Sequence, residues 1–186
     1  MPPKVDINYY IELARNGNFV NAPLHIRNNI EHMKIMVQHN PAVYINAAPK
    51  LKRNIEFIMY VLSYDNLQIY NIPADVFRDR SNVLTIFSVH RTHGCTIPKF
   101  KDDYEVALAC VSNCGVIYNT LSNRLKKNRD IIMATISNDG SMIFPINNSS
   151  SPISIDKEIL LAAATFVFLF IVTLGYTSKI ILHTLF

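Results

Sequence analysis

The 186-residue chain holds only three cysteines, Cys95, Cys110 and Cys114. That number cannot close a disulfide framework, and it points to a reducing compartment. The five glycines (Gly17, Gly94, Gly115, Gly140 and Gly175) are scattered, so no glycine-rich phosphate loop exists. Charge is also scarce: 17% of residues are charged against 49% hydrophobic, with a net charge of +4. A soluble domain is ordinarily about a quarter charged, so apolar residues here serve something besides one core. No basic stripe interleaves with aromatics, and no nucleic-acid partner is expected. The opening "MPPKVDINYY" lacks the apolar stretch of a secretory signal.

What the chain has in excess is Ile and Asn, 24 and 19 residues, and one repeated phrase. The excess is what AT-rich coding produces, as in a protist, an AT-rich bacterium or a large DNA virus. The phrase begins at "IRNNIEHMKIMVQHN", "LKRNIEFIMYVLSYD", "FRDRSNVLTIFSVHR", "FKDDYEVALACVSNC", "LKKNRDIIMATISND" and "ISIDKEILLAAATFV". Apolar anchors open the six copies: Ile26, Leu51, Phe77, Phe100, Leu125 and Ile153, at steps of 25, 26, 23, 25 and 28 residues. Three residues on stand Asn29, Asn54, Arg80, Asp103, Asn128 and Asp156. All but Arg80 are good helix N-caps, whose side-chain oxygen accepts from amides of the first turn. Two further on come Glu31, Glu56, Asn82, Glu105, Asp130 and Glu158. Acids belong there, at the positive end of the helix dipole. Apolar residues then follow at helical spacing, such as Phe57, Ile58, Val61 and Leu62.

A second, shorter element echoes between these helices: "NGNFVNAPLHI", "NPAVYINAAPKL", "NLQIYNIPADVF", "THGCTIPKF" and "NCGVIYNTLSNRL". Each has an aromatic or aliphatic pair at its middle. Pro23, Pro49, Pro73 and Pro98 fall shortly before the next helix and stop the short element. A fixed period with matching chemistry is the signature of a stacked array, in which no unit buries its apolar face alone. The expected fold is all-α: about six short helical repeats over 26–144, preceded by an N-terminal helix and capping segment over 1–25. The third copy departs most, so an irregularity is expected near residues 90–99.

The runs "KNRDIIMATISNDG" and "DDYEVALACVSNCG" resemble a family of short helical repeats of unknown function. That family occurs in giant DNA viruses, protists and some bacterial effectors. The resemblance covers about residues 16–164, carries over no catalytic residues, and implies a scaffold.

The sixth copy changes character. "ILLAAATFVFLFIVTLGY", from Ile159 to Tyr176, carries no charge. Eighteen residues at 1.5 Å each give about 27 Å, close to the roughly 30 Å hydrocarbon core. A single transmembrane helix is therefore expected over 157–178, with Ile159, Phe166, Phe168 and Phe170 in the span. Tyr176 and Lys179 suit its interface, and a short tail follows over 179–186. A polar Asn/Ser/Pro linker over 145–156 precedes it, with N-x-Ser sequons at Asn147 and Asn148. On this reading the repeats face the cytosol or line a virion's internal membrane.

Chemistry is sparse. His90, His93 and Cys95 cluster in "HRTHGC", but a metal needs three or four convergent ligands, and no metal, cofactor or catalytic residue is assigned. The acids sit at helix starts, where the dipole lowers a carboxyl pKa rather than raising it as acid–base catalysis requires. Non-enzymatic scaffolding is expected, with protein partners and a bilayer but no small-molecule substrate. A minor structural protein linking the inner membrane and capsid of a large DNA virus fits this reading, as does an accessory subunit of a protist membrane complex. A tail-anchored survival regulator of the Bcl-2 type is the alternative, although the repeat has no place in that fold.

Overall fold

The computed structural model describes residues 6–89, 98–143, 146 and 156–165. These residues are all-α, with no strand among them. They belong to two compact units, Met1–Thr92 and His93–Phe186.

In the first unit, α1 (Ile7–Arg15), α2 (Leu24–Arg27), α3 (Ile30–His39), α4 (Ile55–Tyr64) and α5 (Arg80–Val89) alternate with 3₁₀ helices. The latter are Phe19–Asn21, Pro41–Asn46, Leu51–Arg53, Asn66–Asn71 and Val76–Arg78. The second unit runs through 3₁₀ helix Pro98–Phe100, α6 (Tyr104–Asn113), 3₁₀ helix Gly115–Thr120, α7 (Asn123–Lys126) and α8 (Arg129–Asn138). A 3₁₀ turn at Gly140–Met142 follows, and helical backbone resumes over 157–165.

The caps work as their chemistry requires. The Asn29 side chain accepts from the amides of Glu31 and His32 at 3.0 and 3.1 Å, and Asn54 from Phe57 at 2.9 Å. Asp103 accepts from Val106 at 3.1 Å, and Asn128 from Asp130 and Ile131 at 2.9 and 3.2 Å. Asp156 accepts from Glu158 and Ile159, both at 3.1 Å. Each such cap stabilises its helix by about 1 kcal/mol. Asp6 caps α1 in the same way, accepting from Asn8 and Tyr9, so the motif starts earlier than residue 26.

The third copy requires a correction of one residue. Asp79, not Arg80, holds the cap position: its carboxylate accepts from the Asn82 amide at 3.1 Å. The anchor is Val76, which is buried, rather than Phe77, which is half-buried and packs its ring against Phe87 at 6.4 Å. With that shift the anchors Ile26, Leu51, Val76, Phe100 and Leu125 are all buried. The three-residue offset from anchor to cap is itself a hydrogen bond. The cap's backbone N–H donates to the anchor's carbonyl at 3.2, 3.0, 3.4, 2.9 and 3.0 Å in the five copies. The anchor thus sits in a helical turn of its own, a third piece of each repeat beside the long helix and the 3₁₀ helix.

One residue both ends a long helix and starts the next 3₁₀ helix. Asn40, Asp65 and Asp139 have extended backbone, donate N–H back to the long helix, and accept side-chain bonds from the amide two residues on. Cys114 holds that place without a side-chain bond; there Asn138 of the following helix accepts from the Gly115 amide at 3.1 Å. Among the long helices whose ends lie in the described residues, α1 ends differently, with Gly17 at φ +73 and the Asn18 amide donating to Leu13. That is a glycine C-cap, a conformation favouring a residue without Cβ.

The core runs between the long helices and the 3₁₀ helices. Counting from the cap, the fourth, seventh and eighth residues of α3, α4, α5, α6 and α8 are all buried. The third position holds buried Phe57, Val106 and Ile131, but polar His32 and Asn82 in α3 and α5. Asn82 reaches the Val76 carbonyl at 3.3 Å, whereas the buried Nδ1 of His32 has no partner among the described residues. Each fully buried Leu, Ile, Phe or Met contributes roughly 1.5–3 kcal/mol.

Candidate interaction surface

Among the described residues, the sequence-predicted ones do not converge on one site. The caps Asn29, Asn54, Asp103, Asn128 and Asp156 and the anchors Ile26, Leu51, Phe100 and Leu125 lie each in its own repeat, where they start helices and fill core. Ile153 lies outside the described residues, as do Phe166, Phe168, Phe170 and Tyr176. So do His90, His93 and Cys95, while Cys110 and Cys114 are buried. Among the described residues no cluster of His, Cys, Asp and Glu could hold a metal. No helix among them is long and apolar enough to cross a membrane. The predicted span enters them only from 157 to 165, where Ile159 and Ala163 are buried. Those two turns therefore pack on protein, unlike a helix bathed all round in lipid.

The long-helix surface is occupied by its own polar contacts. Lys34 pairs with Glu56 at 2.7 Å and lies 5.6 Å from the centre of the Tyr60 ring. Gln38 donates to the Tyr60 hydroxyl at 2.9 Å. In the second unit Tyr104 donates to Asp130 at 3.0 Å, and Arg129 reaches Asp156 and Glu158, both at 2.5 Å. The bond from Arg129 holds the Asp156 carboxyl below its ordinary pKa. Asp75 is lowered likewise by Arg53 at 2.7 Å, and Asp102 by the Ser122 hydroxyl and then Arg124. These contacts join successive repeats, and each pair is exposed to solvent and screened by it.

The 3₁₀ side of the first unit is different. The apolar pairs noted in the sequence divide there, one member inward and one outward. Phe19, Tyr44 and Ile69 are buried, whereas Val20, Ile45 and Tyr70 are 60%, 55% and 59% exposed. The three 3₁₀ helices that carry them lie against one another in sequence order. Residues i and i+3 eclipse in a 3₁₀ helix, which adds exposed Leu67 to the Tyr70 face. Isolated apolar residues on a surface are ordinary, but these recur at one position of three successive repeats. In the second unit the position of Ile45 is taken by Asn119, so the stripe belongs to the first.

The backbone beneath the stripe is braced. Arg27 donates to the Ala22 and Asn46 carbonyls at 2.8 and 3.3 Å, and the Ala48 amide donates to Arg27 at 2.9 Å. The second unit repeats that backbone bond between Ser122 and Lys101 at 2.8 Å. Sequence reasoning had the pairs but not their division, because burial of one member depends on the neighbouring repeat.

Residues 103–149 match the model of a family described as a domain of unknown function (DUF4116). The match starts at the cap of α6 and contains α6, α7 and α8 with the 3₁₀ helix between. No curated protein and no solved structure matches the chain.

Proposed function

We propose that the protein is a non-catalytic scaffold of stacked helical repeats that holds a protein partner along the Val20–Ile45–Tyr70 stripe. The recurrence of exposed apolar residues at one position of three successive repeats carries this reading. Packed elements lie roughly 8–10 Å apart. A partner segment needs apolar side chains at that spacing, which an α-helix supplies at i, i+7, about 10.5 Å. Carboxylates engaged as caps or ion pairs and held below their ordinary range also favour scaffolding over acid–base catalysis. The test is substitution on the stripe. Ile45→Asp and Tyr70→Asp keep helicity and remove the partner that copurifies, whereas Gln38→Asp keeps both. Loss in all three, or in none, rejects the stripe.

The second element of the proposal is attachment to a bilayer through the apolar run beyond Thr165. Because 157–165 packs on protein, the uncharged stretch left is 166–178, which at helical rise reaches roughly 20 Å against a core of about 30 Å. A full crossing therefore needs either release of the packed turns or residues past Lys179. Alkaline-carbonate extraction decides: the chain stays with membranes, and Phe168→Arg releases it. Complete extraction of the unaltered chain contradicts attachment. A Bcl-2-type regulator would instead bind a BH3-like helix in one central groove.

A further inference from the structure

We propose that the protein associates head to tail with copies of itself, α1 of one copy stacking on the 157–165 helix of the next. The stacking direction is written in the polar pairs. Arg129, first after its cap, reaches forward to the cap and second residue of the following helix. Lys34, fifth after its cap, reaches forward to Glu56, second of the following helix. At about 100° per residue the first, fourth, fifth and eighth positions share one side of a helix. The second, third, sixth and seventh lie opposite. The first side faces the following repeat and the other the preceding one.

Helix α3, with α1 on one side and α4 on the other, is covered on both, whereas α1 and the 157–165 helix are each covered on one. In 157–165 the third and seventh residues, Ile159 and Ala163, are buried, but the fourth, Leu160, is 54% exposed and the fifth, Leu161, 63%. The fourth position is fully or almost fully buried in all five complete helices that follow α1. In α1 the pattern reverses. Its eighth residue, Ala14, is fully buried, while its third, Tyr9, is 58% exposed and its seventh, Leu13, only half-buried.

Repeat arrays ordinarily end in units with polar outer faces. Here the forward face of 157–165 shows Leu160 and Leu161 to solvent, and the backward face of α1 shows Tyr9 and half-buried Leu13 beside polar Asn8 and Glu12; these are the positions at which this chain joins its own repeats. Charge agrees. Lys157 holds the place of Arg129 and Asp6 the place of Asp156, so the forward ion pair recurs in sign between copies. One chain supplies both surfaces, which identifies the occupant as a second copy. Such a contact is heterologous and propagates to a ring or an open filament.

Sedimentation velocity of the full-length chain in mild detergent, over a range of concentrations, tests this with Tyr9→Asp and Leu160→Asp. Both substituted side chains are more than half exposed, so neither change disturbs the core. The wild type is expected to form a concentration-dependent series of oligomers, and each variant alone to lose every species above the monomer. Mixing the two variants is expected to give a dimer and nothing larger, since only one sound head and one sound tail remain. A monomeric wild type, single variants that associate like the wild type, or a mixture that stays monomeric overturns the proposal. If the wild type is monomeric and Leu160→Asp only weakens vesicle binding, lipid covers that face and the proposal fails.

Discussion

The Tyr44 hydroxyl donates to the carbonyl oxygen of Lys52 at 2.8 Å, one residue past the buried anchor Leu51. Tyr118 makes the same bond to Lys126, past Leu125, also at 2.8 Å. Each phenol pins a 3₁₀ helix to the turn that launches the next long helix. Tyr44→Phe and Tyr118→Phe are each expected to cost about 1 kcal/mol in urea unfolding.

The same phenols give an alkaline limit. Burial pushes both Tyr44 and Tyr118 above the ordinary tyrosine value of 10.0. A raised folded-state value stabilises fully below the unfolded value, and that stability is lost as pH rises through the folded one. Stability measured by urea titration should therefore fall above about pH 10, and fall less in the double Phe variant.

At the acid end the sign reverses. Arg53 holds Asp75, and Arg129 holds Asp156, below the carboxylate value of 3.8. Their contributions are present above that value and vanish as pH falls through the lowered folded values. NMR titration of the carboxyl carbons is expected to show Asp75 returning upward in Arg53→Ala, with Asp156 unmoved. No change at Asp75 would show that Arg53 is not its cause.

Asp79→Ala should lower stability by about 1 kcal/mol, as loss of a cap does elsewhere, with Asp79→Asn restoring most of it. Equal loss in Ala and Asn variants would show that charge, not capping, matters there.

Gly115 leaves no room for a side chain: an added Cβ would lie 3.3 Å from the Thr135 carbonyl, Asp139 Cβ and Met142 Cγ alike. Gly115→Ala should destabilise by about 1 kcal/mol or more through overpacking. A melting temperature equal to wild type would show that α8 shifts freely.

Helices and caps were legible in the sequence because capping is local chemistry. Asn128 three residues after Leu125 states both the turn and the helix that follows it. The slip at Phe77 has the same origin. "DVFRDR" offers two adjacent apolar residues and two acids, and only packing selects Val76 and Asp79. The exposed apolar stripe was less legible. Phe19 and Val20, or Tyr44 and Ile45, are alike in type, and which one is buried is set by the neighbouring repeat. The exposure of Leu160 at a position buried in the complete helices after α1 is likewise a property of the stack.

The central claim is that the partner lies along the 3₁₀ side of the first unit. A photoreactive amino acid placed singly at Val20, Ile45, Tyr70 and, on the long-helix side, Gln38 tests it in cells expressing the full chain. One partner crosslinked from Val20, Ile45 and Tyr70 and absent from Gln38 is the predicted result. Crosslinks from Gln38 alone, or the same adducts from both sides, would contradict it.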